Sequence, residues 1–195
     1  LVKIVNLKEQ KSFLPVDALI MAGGEGTRLL PLTINIPKPL LEVGGKPIIE
    51  YNIDRLALYG IDQQFISIKY LGEQLVSRFG NGVDKDINLQ YVREEKPLGT
   101  IGSLKLVEDL LIHDVQLIMN SDLLTDIDFE AFYMDFINSG ADMAVASIPY
   151  EVNVPYGVLE TEGKQIVALK EKPTYTYYCN AGIYFVKKEV IGLIP

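Results

Sequence analysis

The stretch Asp17-Ala18-Leu19-Ile20-Met21-Ala22, running straight into Gly23-Gly24-Glu25-Gly26-Thr27-Arg28, decides the fold. An apolar run of strand length without polar alternation is what a strand covered on both faces carries, and such strands belong to parallel sheets flanked by helices. The same grammar repeats outward from it. Beyond a long loop punctuated by Pro31, Pro37 and Pro39, a helix is predicted from Lys46. Pro47 suits its first turn, Ile49, Ile53 and Leu56 share one face, and Gly60 supplies a left-handed stop. A strand at 64–68, a short helix at 73–79, a strand at 87–92, a helix at 100–111 and a strand at 115–119 continue the order βαβαβα. Asn120-Ser121-Asp122 stands at the carboxyl end of the last strand, which places Asp122 on the ligand edge of the sheet. After a helix at 129–138 the pattern turns to strands, at 143–148, 157–161, 165–170 and 177–186, with a hairpin turn at Glu162-Gly163-Lys164. The fold class is α/β, with a sheet that begins parallel and becomes mixed.

Composition narrows the function classes. A length of 195 residues, 48% of them hydrophobic and 23% charged, suits one globular domain and excludes a disordered or fibrous chain. With 18 basic against 26 acidic residues the net charge is −8, and no block of Lys and Arg stands out. A nucleic acid polymer or an anionic membrane surface is therefore not the expected partner, and any anionic ligand must be met by a local cluster. Cys179 is the only cysteine, so no internal disulfide framework exists. No apolar run reaches the roughly 18 residues of a membrane span. The compartment that fits is a reducing cytoplasm. The chain opens on Leu1, without the order of a secretory signal, and reads as a piece of a longer protein.

Glycines 23, 24 and 26 let backbone N–H groups turn inward and let a phosphate approach closely, so Gly23 to Arg28 is a phosphate-cradle candidate; the competing reading is an ordinary tight turn. Arg28 and Lys38 add two cations from the same proline-stiffened loop, which favours a clamp on a charged ligand. Two standard phosphate motifs fail on spacing. A dinucleotide fingerprint needs glycine at position 29, where Leu29 stands. A P-loop ending at Gly45-Lys46 needs glycine at position 40 and Ser or Thr at position 47, where Leu40 and Pro47 stand.

The series Gly23 to Leu29, Pro31-Leu32-Thr33, Pro37-Lys38-Pro39-Leu40 and Gly45-Lys46-Pro47-Ile48 closely resembles the sugar-1-phosphate nucleotidyltransferases, the nucleotide-sugar pyrophosphorylases. Leu98-Gly99-Thr100, Asp122, Pro155-Tyr156-Gly157, Glu171-Lys172-Pro173 and Asn180-Ala181-Gly182-Ile183-Tyr184 follow in the family's order, nearest in pattern to mannose-1-phosphate guanylyltransferase-like members. The resemblance implies a three-layer α/β/α Rossmann-like nucleotidyltransferase fold with a mostly parallel mixed sheet. It implies a reaction of a nucleoside triphosphate with a sugar-1-phosphate, giving a nucleotide-sugar and pyrophosphate with Mg²⁺ as cofactor. By that likeness Arg28 and Lys38 are catalytic, stabilising the triphosphate and the departing pyrophosphate, and Asp122 is the metal carboxylate. Ala22, Gly23, Gly24, Gly26, Thr27, Gly99 and Thr100 line the nucleotide. Tyr156, Gly157, Glu171, Lys172 and Asn180 hold the sugar phosphate, Lys172 meeting its phosphate. Glu94 falls where relatives often carry a base-reading side chain. A carboxylate there accepts from the adjacent N1–H and N2–H of guanine, which favours GTP, although Glu95 competes as the inward-facing residue.

The same resemblance divides the chain into an N-terminal segment, 1–16, with a strand-like Val2 to Asn6 that resembles the tail of an upstream regulatory domain, and a nucleotidyltransferase domain, 17–195, truncated at its C-terminus. A second metal carboxylate is expected beyond Pro195, as are elements for association with further copies of the full-length protein. Ser121 departs from the glycine that usually precedes the metal aspartate. Mannose- or glucosamine-type phosphates are the favoured acceptors. Uridylyl or thymidylyl transfer and a non-catalytic nucleotide-sugar sensor are the alternatives. Bland roles suffice elsewhere: His113 as a solvated loop residue, Cys179 as a small buried hydrophobe, Asp126 and Asp128 as the start and cap of the next helix, and the tyrosines at 175, 177 and 178 as alternating strand faces.

Overall fold

The computed structural model describes residues 12–96 and 98–194, and the side chain of Thr100 is not among the described groups. The expected strand at Val2 to Asn6 lies outside the described residues. Contacts divide the chain into two units: one formed by the residues up to Ala144 and from Ile183 onward, the other by Val145–Gly182.

In the first unit, β1 (Val16–Met21) is followed by the loop, a two-residue strand β2 (Glu42–Val43), its antiparallel partner β3 (Lys46–Pro47) and helix α1 (Ile48–Leu58). Then come β4 (Gln63–Ile68), α2 (Glu73–Phe79), β5 (Asn88–Arg93), a single helical turn α3 (Gly99–Gly102), β6 (Val115–Asn120) and α4 (Phe129–Ser139). β7 (Met143–Asn153) leads into the second unit, which holds β8 (Val158–Glu162) and β9 (Gln165–Lys170), and β10 (Thr174–Lys187) returns. The six-stranded sheet has the order β5-β4-β1-β6-β10-β7. β1 pairs in parallel with β4 and β6, β4 with β5, while β10 joins β6 antiparallel through Ile183 to Lys187. The sheet is thus mostly parallel and mixed.

Register explains the layers. Leu19, Phe65, Val92, Ile118, Tyr184 and Val186 share one face, packed with Leu104, Val107, Leu111 and Ile191 from the segments after α3 and after β10. The opposite face meets α1 and α4. The Gln64 side-chain amide donates to the Ile53 carbonyl at 3.2 Å, and Phe185 stands 4.9 Å from the Phe132 ring and stacks on Phe136 at 5.9 Å. Ile49, Ile53 and Leu56 of α1 are all fully buried, as their spacing required.

Several expectations change. The helix foreseen at 100–111 is one α-turn followed by 3₁₀ turns at Ser103–Leu106 and Glu108–Leu110. Glycines at both ends of that turn weaken an α-helix, and a Cβ on Gly102 would lie 2.7 Å from Leu98 Cβ. Lys46 and Pro47 pair with β2, so α1 starts two residues later, at Ile48, with Pro47 at its N-cap. β7 and β10 are longer than foreseen. Asp128 does cap α4, accepting from the Glu130 and Ala131 amides at 3.0 and 3.1 Å. The Glu162 to Gln165 hairpin closes through Gly163, at φ 61°. His113 is not merely solvated: its Nδ1 lies 2.8 Å from the fully buried Asp17 carboxylate, which also accepts from the Ile112 and His113 amides. A buried carboxylate needs such partners. Cys179 is exposed, because it lies on a β10 segment whose side chains face outward, and is not the buried hydrophobe expected.

Candidate active site

In the sheet order, the chain runs from β1 to β4 and β5 on one side and then crosses to β6 on the other, so the topological switch lies between the carboxyl ends of β1 and β6. Open α/β sheets bind ligands at that crevice. β1 ends at Met21 and β6 at Asn120, and Ser121 N–H, donating to the Met21 carbonyl at 3.1 Å, ties the two ends together.

From β1 the chain enters the glycine loop. Gly26 adopts φ 65°, ψ 29°, a left-handed conformation that starts the 3₁₀ turn Thr27–Leu29. Thr33, which is buried, donates its hydroxyl to the Gly26 carbonyl at 3.0 Å. The Tyr70 hydroxyl donates to the Ile34 carbonyl at 2.8 Å, and Gln74 Nε2 to the Asn35 carbonyl at 2.9 Å. The loop is therefore held in shape by its own Thr33 and by the Tyr70 and Gln74 side chains from beyond β4, as a pre-organised clamp must be.

Two hollows flank it. A cleft of about 530 Å³ has Gly23, Gly24, Gly26, Thr27, Glu94 and Gly99 in its walls, so six of the eight residues expected at the nucleotide come together. Ala22 is buried, with its N–H donating to the Ser67 carbonyl at 3.0 Å, and Thr100 sits in the α3 turn beside Gly99. Glu94 is the inward-facing acid and Glu95 is exposed. A Cβ on Gly23 would stand 3.2 Å from Glu94 Oε1, so the missing side chain makes room for the carboxylate. The second hollow, about 270 Å³, is walled by Gly24, Gly26, Thr27, Arg28 and Lys38. Both loop cations thus reach one space against the glycine backbone.

Lys38 Nζ makes an ion pair and hydrogen bond with Asp122 Oδ2, across 84 residues of sequence. Each of these side chains is about a third exposed, 35% and 32%, so both remain open to a ligand. Two cleft residues went unforeseen in the sequence, Lys69 and Asn120. Lys69 directly follows β4, and Glu94 N–H donates to the Ile68 carbonyl at 2.9 Å, so Lys69 and Glu94 leave neighbouring strand ends. Their position just past parallel strands was the available signal.

The second unit holds the residues expected at the sugar. A Cβ on Gly157 would lie 3.3 Å from Glu171 Oε2 and 3.2 Å from Leu169 Cδ1, which brings Gly157 and Glu171 together. Tyr156 is exposed, Lys172 takes a left-handed φ of 45°, and the Asn180 side-chain oxygen accepts from Gly182 N–H at 2.8 Å.

Comparison with known proteins adds the family. The model described as Nucleotidyl transferase matches residues 17–194. The mannose-1-phosphate guanylyltransferase of Mycobacterium tuberculosis is 35% identical over 184 residues, covering 92% of this chain and 51% of that protein. The mannose-1-phosphate guanyltransferase of Yarrowia lipolytica is 34% identical over 186 residues, with coverages of 92% and 51%. Among solved structures, one from Bacillus anthracis described as a candidate glucose-1-phosphate thymidylyltransferase, in complex with a sucrose, has a TM-score of 0.71 at 26% identity, covering 91% of this chain and 73% of that one. The chain spans about half the length of the curated relatives it matches. Among the described residues no helix is long and apolar enough to cross a membrane.

Proposed function

Since the chain belongs to the nucleotidyl transferase family, we propose that it serves the transfer of a nucleotidyl group from a nucleoside triphosphate to a sugar-1-phosphate. GTP is the favoured donor and a mannose- or glucosamine-type phosphate the favoured acceptor. An oxygen of the sugar phosphate attacks the α-phosphorus in line, the bond from that phosphorus to the β-phosphate oxygen breaks, and pyrophosphate leaves with the electron pair. The attacking group is already an anion, so no general base is required. What is required is cationic charge where two anions meet. The glycine amides, Arg28 and Lys38 are the groups that supply it on the nucleotide side, and Lys172 on the sugar-phosphate side.

The observation that carries this reading is the contact of Lys38 with Asp122 beside the glycine loop, at the switch point of the sheet. The donor set suits Mg²⁺. That ion commonly takes one or two carboxylates and completes its shell with water and substrate oxygens. No group of three or more His, Cys, Asp or Glu that could hold a metal occurs among the described residues. Asp122 is the residue to hold it. An ion held by Asp122 would supply Lewis-acid stabilisation of the phosphate charge. Lys38 and the ion would then share Asp122.

Guanine is favoured because a carboxylate beside an ammonium matches its edge: Glu94 accepts from N1–H and N2–H, and Lys69 donates to the O6 acceptor. The guanylyl-transferring relatives support the same choice. The thymidylyltransferase description of the similar solved structure keeps dTTP as the second reading. The exposed free thiol of Cys179 suits a reducing compartment, the cytoplasm. The test is a matrix of four triphosphates against several sugar-1-phosphates with Mg²⁺, scored by pyrophosphate release, from this chain and from any longer product that carries it. GTP-specific release supports the proposal. Nucleotide binding with no release from either protein defeats it in favour of a sensor.

A further inference from the structure

Asn52 lies on the buried face of α1, between the fully buried Ile49, Ile53 and Leu56, and is itself only 2% exposed. An amide in such surroundings is costly unless it is hydrogen-bonded. Its Nδ2 donates to the Ser121 carbonyl at 3.2 Å, across 69 residues of sequence. β6 ends at Asn120, so this carbonyl lies one residue past the strand and takes its bond from a side chain. The Ser121 N–H meanwhile donates to Met21 at the end of β1. The residue before Asp122 is therefore gripped on both its backbone groups, by α1 through Asn52 and by β1 through Met21. The next side chain along is the carboxylate that meets Lys38.

We propose that Asn52 is a positioning residue for Asp122. It fixes the peptide from which the carboxylate springs, so that Asp122 faces the glycine loop and the metal it holds. The side chain has the necessary chemistry and length: Asp would set acceptor against acceptor, Leu would leave the carbonyl unpaired, and Gln would reach too far. The inference rests on the reading of Asp122 as the metal carboxylate.

The experiment uses Asn52→Asp and Asn52→Leu, with Asp122→Asn as reference. Mn²⁺ alone is titrated and followed by water-proton relaxation, and thermal melts are recorded in parallel. The Mg²⁺ dependence of turnover and the KM for the sugar phosphate are measured as well. Outer-shell partners typically set metal affinity by about 10- to 100-fold, so both Asn52 variants are expected to weaken Mn²⁺ binding by at least about tenfold. The Mg²⁺ concentration for half-maximal turnover rises in step, while the KM for the sugar phosphate stays put. Asn52→Leu keeps the volume of the side chain without burying a charge, so it decides the matter even where Asn52→Asp fails to fold. Unchanged Mn²⁺ affinity in a folded Asn52→Leu or Asn52→Asp, with affinity lost in Asp122→Asn, overturns the role of Asn52 alone. Unchanged affinity in Asp122→Asn overturns the metal reading of Asp122 and this inference with it.

Discussion

Replacing Gly26 by alanine tests the glycine loop at the point where its geometry is most demanding. Gly26 sits at φ 65°, ψ 29°, where an added Cβ costs on the order of 1–2 kcal/mol. That Cβ would also stand 3.0 Å from Lys38 Cβ and 3.0 Å from Thr33 Cγ2. Thr33 is buried and spends its hydroxyl on the Gly26 carbonyl, so it cannot swing aside without giving up a hydrogen bond of about 0.5–1.5 kcal/mol. Together these make a penalty of roughly 2–3 kcal/mol, or a fall in Tm of roughly 4–12 °C for a chain of this size. If the turn instead reopens to relieve the strain, the melt recovers but Lys38 is displaced, and turnover falls by about 30- to 150-fold. Gly24→Ala is the matched control. A Cβ there meets nothing within 4 Å and its φ is not positive, so the melt is unchanged and the variant registers only as weaker nucleotide binding, because the methyl enters the ligand's space. Melting curves and steady-state kinetics of the two variants side by side decide it. Gly26→Ala with both Tm and turnover intact would show that the left-handed turn at Gly26 is not required.

Three further outcomes follow from the same geometry. Lys38→Ala is expected to lower kcat by about 100-fold or more, since it removes a preorganised charge, with little change in Tm because its ion pair with Asp122 is partly exposed; pyrophosphate release measures the first and a thermal melt the second. Glu94→Gln exchanges a charged acceptor for an amide, which should reduce kcat/KM for GTP by about 10- to 100-fold and narrow the gap to UTP and dTTP, read from competition assays with paired triphosphates. Tyr91, whose hydroxyl reaches the Leu75 carbonyl at 3.4 Å, has its pKa pushed up by burial to about 12. The unfolded phenol ionises near 10, so the folded state binds the extra proton between those values, and stability present at neutral pH should be lost as pH rises from about 10 to 12. Denaturant titrations of Tyr91→Phe across that range should show a flatter decline.

The core strands were legible because burial on both faces leaves an apolar run that no turn interrupts, as in Leu19-Ile20-Met21 and Leu117-Ile118-Met119. The α1 helix was legible for the same reason, through Ile49, Ile53 and Leu56. The segment after Gly99 was not, because Thr100 to Leu111 carries a helical spacing of apolar residues whose burial is met equally well by 3₁₀ turns that place Leu104 and Val107 in the core. At the site, glycines and cations close in sequence could be read directly from the loop. Pairs made by topology could not: Lys38 with Asp122, Asn52 with Ser121 and His113 with Asp17 are each joined only by the order in which strands stack. Asn52 was hidden further by its company, since an amide on an apolar helix face gives no sign of which carbonyl it serves. The choice between Glu94 and Glu95 depended on where β5 ends, and it ends at Arg93, leaving Glu94 beside Gly23.

In the proposed function, the bend after β1 wraps a triphosphate between its amides and the Arg28 and Lys38 side chains, with Asp122 opposite. A crystal structure with a non-hydrolysable GTP analogue and Mg²⁺ tests it most directly. Phosphate oxygens are expected within hydrogen-bond distance of the Gly24 to Arg28 amides and of Lys38 Nζ, with Asp122 on the metal and guanine against Glu94. Phosphates bound elsewhere, with Arg28 and Lys38 turned to solvent, would contradict it.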